Sequence, residues 1–330
     1  MPEPCRGVGI SGVGIRVPER VLTNFDLEQM VATSDAWIRE RTGIRERRVA
    51  APQEATSDLA AAAAQEALAA AGVTPEQVDL IIVATATPDM LFPATACLVQ
   101  EKLGAARAGA FDLQAGCSGF IYAMACGAQF VAAGSAETVL IVGAETLSRV
   151  LNWEDRSTCV LFGDGAGAVV LRPVPPGRGI LATLLGSDGS GASLLQLPAG
   201  GSRLPASHRT VEDGLHYVQM NGREVFKFAV RVMGDAALEV ARRAGLAPEE
   251  IDLFIPHQAN IRIIDAVARR LGLDASKVVV NVDRYGNTSA ASVPLALADA
   301  LQTGRIREGD NIVMVAFGAG LTWAAATIRW

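Results

Sequence analysis

The sequence lacks the residue patterns that mark zinc, nucleotide-phosphate and membrane-spanning proteins. Its 330 residues include three histidines and five cysteines, with no Cys-x-x-Cys or His-x-x-x-His spacing for zinc. It has no Gly-Lys dipeptide for a phosphate-binding loop and no Gly-x-Ser-x-Gly nucleophile elbow. No apolar run approaches the roughly 18 residues that a bilayer-spanning helix needs. We therefore expect neither a metal site nor a membrane span.

Charged residues are also scarce. They make up 19% of the chain, and 29 basic against 35 acidic residues give a net charge of −6. This balance argues against general binding of nucleic acid or anionic membrane, although a local basic island could bind an acidic partner. The first 12 residues lack a long apolar segment behind a basic start. That feature and the odd cysteine count predict reduced thiols and a cytoplasmic location; the cysteines are Cys5, Cys97, Cys117, Cys126 and Cys159.

Short apolar runs alternate with helical patterns, and half of all residues are hydrophobic. The patterns predict strands over residues 78–85, 110–114 and 139–143, and helices over residues 56–71, 95–103 and 118–133. Continuous apolar strands between helices are typical of an α/β fold whose sheet is buried on both faces.

The order of elements repeats along the chain. Residues 71–84 align with residues 244–257 at a constant offset of 173, and seven of the 14 positions are identical. Each copy continues with a helix that ends in Leu-Gly, then a strand, predicted over residues 278–282 in the second copy. We therefore predict two similar halves, residues 1–175 and 176–330, with a boundary in the proline- and glycine-rich segment 172–179.

The duplication points to a site. Cys117 lies at a predicted strand–helix junction of the first copy, and Asn287 lies at the corresponding junction of the second. His257 ends the repeated strand where the first copy has Ala84. Because open α/β sheets bind ligands at the carboxyl ends of their strands, we expect these three polar groups to share a site.

Each of these residues has a structural alternative. A helix N-terminus favours a Cys117 thiolate, but most free thiols are buried structural groups. His257 and Asn287 could instead cap helices. The small-residue segment 317–323 could supply a backbone N–H to an oxyanion, or form an ordinary tight turn. The Gly-x-Gly-x-x-Gly pattern at residues 7–12 has no helix pattern after it, so we reject it as a dinucleotide site.

Seven motifs carry a resemblance to a known family. They are TSDAWIRERTGIRER (33–47), GCSGF (116–120), FGDGAG (162–167), NGREVFK (221–227), PHQAN (256–260), RYGNTSAAS (284–292) and FGAGLTW (317–323). All seven occur in order, and over nearly its whole length the chain resembles β-ketoacyl-acyl-carrier-protein synthase III. That family is the initiating condensing enzyme of bacterial type II fatty-acid synthesis.

The resemblance implies a thiolase fold, five layers αβαβα, in a homodimer. It implies catalysis by Cys117, His257 and Asn287, with an oxyanion hole formed by the backbone N–H groups of Cys117 and Ala319. The implied substrates are a short acyl-CoA, with acetyl-CoA expected, and malonyl-acyl carrier protein, and no metal or redox cofactor is implied. Two positions depart from the family pattern, since alanine is more usual than Gly116 and glycine is common at position 319.

The resemblance also places the binding residues. It implies a CoA tunnel in which Trp37 and Arg156 sandwich the adenine and further contacts come from Arg41, Gly222 and Asn260. It implies an acyl pocket with Phe162 and with Phe92 from the partner subunit. It implies a carrier-protein surface formed by Gln258, Ala259, Asn260, Ile261 and Arg262, and Arg269 and Arg270 extend the basic character of the same predicted helix.

Two other functions stay open at this point. A starter-unit ketosynthase or acyltransferase of polyketide metabolism could carry the same three residues. A non-catalytic dimer partner is the other alternative, although it would be expected to have lost one of them. A biosynthetic thiolase is disfavoured because no cysteine follows Cys159.

Overall fold

A computed structural model describes residues 6–330, which form both strands and helices; Cys5 lies outside these residues. The strands are β1 (Gly7–Arg16), β2 (Val21–Thr23), β3 (Glu46–Arg48), β4 (Leu80–Ala84), β5 (Gly109–Leu113), β6 (Val139–Glu145), β7 (Gly165–Val174), β8 (Gly179–Ser187), β9 (Leu195–Gln196), β10 (Gln219–Met220), β11 (Leu253–Pro256), β12 (Asn311–Gly318) and β13 (Thr322–Arg329). The helices are α1 (Asn24–Glu28), α2 (Asp35–Thr42), α3 (Thr56–Ala71), α4 (Thr95–Leu103), α5 (Gly119–Ala132), α6 (Arg156–Cys159), α7 (His208–Glu212), α8 (Gly222–Arg243), α9 (Ile261–Arg270), α10 (Val282–Tyr285) and α11 (Ser292–Gln302).

Two mixed sheets organise these elements. The first has the order β1-β7-β6-β4-β5, and the second has the order β11-β12-β13-β8. Strand β7 ends at Val174 in the first sheet, and β8 begins at Gly179 in the second. This change of sheet supports the predicted division at residues 175 and 176, which stays a prediction.

The internal repeat is visible in the strand register. In the first sheet Leu80 pairs with Val139, in parallel strands β4 and β6. In the second sheet Leu253 pairs with Ile312, in parallel strands β11 and β12. Both members of the second pair lie 173 residues after their counterparts, the offset that relates the two copies of the sequence.

Five layers result from the packing. Helices α3 and α4 cover one face of the first sheet. Helices α5 and α11 fill the space between the two sheets, and α8 and α9 cover the outer face of the second. Strand β12 shows why both faces are apolar: Ile312 and Met314 pack on the inner helices, whereas Val313 and Val315 pack on the outer ones.

Helix α3 confirms the prediction for residues 56–71, and it packs unusually close to β1. A Cβ on Gly14 would lie 2.3 Å from the carbonyl oxygen of Ala63, so only glycine permits this approach. The rejected Gly-x-Gly-x-x-Gly pattern lies inside β1, with no helix after it. Across residues 6–330, no helix is both long enough and apolar enough to cross a membrane.

The prediction of a strand over residues 278–282 is wrong. Val278 forms an isolated bridge with Phe254, and α10 begins at Val282. The side chain of Gln258 hydrogen-bonds to backbone groups that a β-ladder would otherwise pair. It donates to Val279 O (3.0 Å) and accepts from Asn281 N (2.9 Å) and Val282 N (3.2 Å). These backbone groups therefore bond to a side chain instead of to a neighbouring strand.

Candidate active site

Cys117 lies in a single 3-10 turn, Gly116–Ser118, that leads from β5 into α5. Gly116 enters the turn with a φ of 52°, a conformation that glycine adopts without strain. The thiol is buried, 7% exposed, at the N-terminal end of a 14-residue helix. The sequence prediction of a cysteine at a strand–helix junction is therefore confirmed.

The end of β12 meets this turn from the other half of the chain. A Cβ on Gly318 would lie 2.3 Å from the backbone nitrogen of Cys117, and one on Gly116 would lie 2.7 Å from the backbone nitrogen of Ala319. The hydroxyl of Thr322 donates to Ala115 O at 2.8 Å and fastens the two segments together. The two backbone N–H groups predicted to hold an oxyanion therefore belong to segments in direct contact.

His257 directly follows β11, and its side chain is completely buried. Its backbone N–H donates to Val315 O at 2.7 Å, which continues the β11–β12 ladder by one residue. The ring Nδ1 lies 2.6 Å from the hydroxyl of Ser292, and Nε2 has no hydrogen-bond partner among residues 6–330. The ring of Phe317 lies edge-on to it, with centroids 5.7 Å apart. One ring nitrogen is thus held, and the other remains free.

Asn287 is held through its backbone and its side-chain oxygen. Its N–H donates to Leu161 O at 2.9 Å, and it forms a bridge with Phe162. Its Oδ1 accepts the backbone N–H of Ser289 at 2.8 Å, which fixes the assignment of the amide atoms. The Nδ2 amino group makes no hydrogen bond to any described residue, so two N–H bonds remain for a ligand.

These three residues line one cavity of about 600 Å³. Helices α2, α8 and α9 surround its mouth, and Phe162, Val225 and Phe317 make much of its wall apolar. A cavity of this size and character suits an elongated organic ligand with a reactive group at its inner end. The arrangement places residues with a thiol, a free imidazole nitrogen and a free amide on the wall of the same cavity.

Four of the five predicted CoA residues line the same cavity, namely Trp37, Arg41, Gly222 and Asn260. Trp37 and Arg41 lie four residues apart on α2 and so share one face of that helix. The Asn260 side chain is already engaged, since it donates to Arg41 O (3.0 Å) and accepts from Arg262 N (2.8 Å). It therefore joins α2 to α9 at the cavity mouth.

Arg156, the fifth predicted residue, lies outside the cavity wall. Its guanidinium carbon is 4.8 Å from the centroid of the Trp37 ring, and it donates to Ala32 O at 2.9 Å. The guanidinium lies over the indole, so the predicted sandwich requires Arg156 to move away from the indole before a base can enter.

The two predicted acyl-pocket residues lie in different places, one in the cavity wall and one on the surface. Phe162 is buried and lines the cavity beside Asn287. Phe92 is 83% exposed and does not line the cavity of its own chain. Met90 and Leu91, next to it, are also exposed. A contribution of Phe92 to an acyl pocket therefore requires a second subunit.

The predicted carrier-protein segment needs a correction. Gln258 is 1% exposed and Ala259 is 8% exposed, so neither side chain can contact a large partner. Gln258 holds the backbone of residues 279–282, as described above. Of the five residues, Arg262 is the exposed one, and its guanidinium lies 5.6 Å from the centroid of the Phe226 ring at the cavity mouth.

Burial sets the protonation states in the cavity. It raises the pKa of Cys117 to about 12, although contact with the Ser289 hydroxyl opposes this effect. It lowers the pKa of His257 to about 3. The resting pair at neutral pH is therefore a thiol and a neutral imidazole. Desolvation by burial thus opposes the stabilisation of a Cys117 thiolate that the helix N-terminus was expected to provide.

Sequence reasoning missed Glu145 and Ser289. Glu145 ends β6 and is completely buried, and burial raises its pKa. It accepts from the hydroxyls of Thr87 (2.6 Å) and Ser289 (2.9 Å) and from the backbone N–H of Ala86 (3.1 Å). Ser289 lies two residues after Asn287 with a φ of 48°, and its hydroxyl lowers the pKa of the Cys117 thiol. An acidic residue at the carboxyl end of a buried strand was the available signal.

Among residues 6–330, no three His, Cys, Asp or Glu side chains cluster as metal ligands. The described cysteines, Cys97, Cys117, Cys126 and Cys159, are all free.

Comparisons with known proteins find relatives over nearly the whole chain. Residues 111–189 match the model of the family "3-Oxoacyl-[acyl-carrier-protein (ACP)] synthase III", and residues 241–330 match the model of its C-terminal part. A beta-ketoacyl-[acyl-carrier-protein] synthase III of Symbiobacterium thermophilum is 63% identical, and the alignment covers 98% of each chain.

Two solved structures share the fold. A β-ketoacyl-[acyl carrier protein] synthase III of Thermus thermophilus is 56% identical, with a TM-score of 0.92 over 98% of this chain and 99% of that one. A priming β-ketosynthase of a polyketide biosynthetic pathway is 38% identical, with a TM-score of 0.91 over 98% of this chain and 96% of that one. The predicted five-layer thiolase fold is confirmed.

The fold and the cysteine-centred cavity define a condensing acyltransferase of the thiolase type. At the level of sequence, the chain belongs to the β-ketoacyl-acyl-carrier-protein synthase III family. This confirms the resemblance and the class of enzyme expected from the sequence motifs.

Proposed function

We propose that this chain joins a short acyl group from acyl-CoA to malonyl-acyl carrier protein by decarboxylative condensation, the step that initiates fatty-acid synthesis. The observation that carries the proposal is the single cavity that holds Cys117, the free Nε2 of His257 and the free amino group of Asn287. One group supplies a nucleophile and the other two supply hydrogen bonds to a carbonyl.

In the first half-reaction Cys117 attacks the thioester carbonyl of the acyl-CoA. A carbon–sulfur bond forms to Cys117, the bond to the CoA sulfur breaks, and the thiol proton ends on CoA. The backbone N–H groups of Cys117 and Ala319 stabilise the oxyanion, and one such donor is worth roughly 3 kcal/mol. The helix N-terminus at Cys117 stabilises the negative charge as it develops on sulfur.

In the second half-reaction malonyl-acyl carrier protein replaces CoA. His257 Nε2–H and Asn287 Nδ2–H donate to its thioester carbonyl, and carbon dioxide leaves as an enolate forms. The enolate carbon attacks the acyl group on Cys117, and the released sulfur takes up a proton from solvent. The neutral forms of both donors suit this step, because neither loses its proton near neutral pH. This chemistry requires only hydrogen-bond donors and a nucleophile. We therefore propose CoA thioesters as substrates and no further cofactor.

The cavity mouth supports the substrate entry that we propose. Trp37 and Arg156 offer two flat groups for an adenine, provided that Arg156 swings away from the indole. Arg41 and Gly222 line the path inward. Arg262 offers an exposed positive charge beside the opening, which suits an acidic carrier protein.

We propose a homodimer in which the segment around Phe92 contacts the partner subunit. Met90, Leu91 and Phe92 are consecutive exposed apolar residues, which is unusual on a monomer surface. A Phe92 side chain supplied by the partner would close the acyl pocket beside Phe162. We also propose a cytoplasmic location, supported by the free state of the described cysteines.

The proposed function is tested by incubation with acetyl-CoA followed by intact-mass measurement. The wild type is expected to gain one acetyl group, and Cys117→Ala is expected to gain none. Addition of malonyl-acyl carrier protein should then discharge the adduct and release a β-ketoacyl product. The absence of an adduct with every short straight or branched acyl-CoA would favour the non-catalytic alternative.

The likeness to a priming ketosynthase of polyketide metabolism keeps a second candidate function in view. Both functions use the same three residues, so they differ in the starter acyl group and the carrier protein accepted. A panel of acyl-CoA primers, assayed with carrier proteins of fatty-acid and polyketide type, separates them. Faster turnover of acetyl-CoA with the fatty-acid carrier protein supports the first.

A further inference from the structure

The buried hydroxyl of Ser292 contacts the imidazole of His257, and this serine was given no role in the sequence analysis. Ser292, the first residue of α11, is 1% exposed, and its Oγ lies 2.6 Å from Nδ1 of His257. The backbone N–H of Gln258 points at the same oxygen from 3.4 Å. The serine therefore contacts both the catalytic ring and the peptide that follows it.

The single hydroxyl proton of Ser292 determines which ring nitrogen of His257 carries a proton. The Gln258 N–H is a donor, so toward it the oxygen must accept. Among the described residues, the hydroxyl has one partner that can accept its proton, which is Nδ1 of His257. The opposite arrangement, with a proton on Nδ1, would leave a buried hydroxyl without an acceptor. Satisfaction of both groups thus requires an unprotonated Nδ1.

A neutral imidazole with no proton on Nδ1 carries its proton on Nε2. This is the nitrogen that has no protein partner and that belongs to a residue lining the cavity. Burial keeps the ring neutral near pH 7, so the two tautomers are the only forms to be distinguished. The edge-on ring of Phe317 offers no competing acceptor in the ring plane.

We propose that Ser292 is a positioning residue that selects the Nε2–H tautomer of His257 and so presents a donor to the thioester carbonyl. The inference rests on the proposed function, in which His257 must donate rather than accept. Ser292 does not touch the reacting atoms; it acts through the imidazole.

The hydroxyl is itself held in place from two sides. Its helix α11 is packed between the two sheets, and Gln258 is fixed by four side-chain hydrogen bonds, to Pro256 O, Val279 O, Asn281 N and Val282 N. The N–H of Gln258 therefore approaches Ser292 from a rigid peptide. This geometry keeps the oxygen in its accepting role and leaves its proton for Nδ1.

The experiment begins with the wild-type protein and ¹⁵N-labelled histidine. Nitrogen NMR distinguishes a protonated from an unprotonated ring nitrogen, and we expect His257 to give the Nε2–H pattern, assigned by comparison with His257→Gln. In Ser292→Ala we expect a mixture of tautomers. An Nδ1–H pattern in the wild type, or an unchanged pattern in Ser292→Ala, would overturn the proposal.

Kinetics provide the second readout. Loss of the partner that orients a histidine costs roughly 10-fold to 10⁴-fold depending on the site, and we expect condensation to fall by about 100-fold in Ser292→Ala. Acetylation of Cys117 by acetyl-CoA should proceed as in the wild type. Ser292→Thr retains a hydroxyl and should restore most of the condensation rate. Equal loss of both half-reactions, with no tautomer change, would indicate a purely structural role and contradict the proposal.

Two controls separate the possible failures. Thr303→Ala removes an exposed hydroxyl at the other end of α11 and should leave both half-reactions unchanged. If Ser292→Ala does not fold, Ser292→Cys places a weak donor at nearly the same volume and should give an intermediate tautomer mixture; a wild-type pattern there would contradict the proposal. Failure of the proposed function would show differently, as a wild type that never acquires an acyl group.

Discussion

The two halves of the chain share a scaffold and differ in what they place at the same point. Helix α5 begins two residues after Cys117, and its counterpart α11 begins at Ser292, after a 3-10 turn that follows Asn287. Both helices lie in the central layer between the sheets. The first half thus supplies a nucleophile and the second supplies hydrogen-bond donors. In the proposed mechanism, the duplicated fold divides one reaction between two equivalent strand–helix junctions.

The edges of the two sheets also differ. In the first half, β5 forms a complete parallel ladder with β4. In the second half the corresponding segment makes one bridge, and the side chain of Gln258 takes over its remaining hydrogen bonds. Gln258 follows His257 directly, so loss of the strand places a rigid anchor next to a residue that we propose to be catalytic. In the second half, regular structure is thus replaced beside the proposed site.

The proposed division of roles between the two halves of the chain is tested most strongly by measuring acylation and condensation separately. His257→Ala and Asn287→Ala remove donors of the second half, and we expect condensation to fall by about 10³-fold because each donor stabilises the enolate oxygen. Acetylation of Cys117 should continue in both variants. Single-turnover acylation and malonyl-dependent product formation are measured separately. If both variants lose acylation to the same degree, the division between halves is wrong.

The contribution of the Gln258 side chain at the edge of the second sheet is tested next, by measuring stability. Gln258→Leu keeps the volume and removes four hydrogen bonds to buried backbone groups, so we expect a loss of about 3 kcal/mol in the free energy of unfolding. Denaturant unfolding gives the value, and Gln302→Leu on the exposed end of α11 is the matched control. Equal stability of the two variants would show that the anchor contributes little.

The protonation state of Cys117 gives the third test. A thiol whose pKa is raised to about 12 has less thiolate at neutral pH than a free cysteine, and the thiolate fraction grows as pH rises. Alkylation of Cys117 by iodoacetamide should therefore accelerate about tenfold per pH unit, with no plateau below about pH 10. Peptide mapping isolates the Cys117 signal. A plateau near neutral pH would mean that the helix N-terminus outweighs burial.

The smallest effect is expected at the surface of the second half. Arg262→Glu reverses an exposed charge at the cavity mouth and should raise the KM for malonyl-acyl carrier protein by about tenfold, an effect that weakens in high salt. Arg172→Glu makes the same charge change on an exposed arginine of the first half and should have little effect. A tenfold rise in both variants would show general rather than local charge attraction.

Local patterns were sufficient to predict several elements. Helices α3 and α4 begin and end at the predicted residues, because apolar periodicity and the glycines after their last turns are local signals. The strand predicted over residues 278–282 does not form, because the side chain of Gln258, 20 residues before its start, takes its hydrogen bonds. Such a long-range contact is not visible in a local pattern. Glu145 and Ser292 were missed for the same reason, because their partners come from distant segments.

The sequence alone determined which chemical groups are present and which strand–helix junctions carry them, because repeat order and residue type are written in the chain. Tertiary structure decided their protonation and orientation. Burial raises the pKa of Cys117 and lowers the pKa of His257. Contact with Ser292 left one nitrogen of His257 free toward the cavity. Desolvation and hydrogen-bond partnership depend on what surrounds a group, and only the folded chain brings those surroundings together.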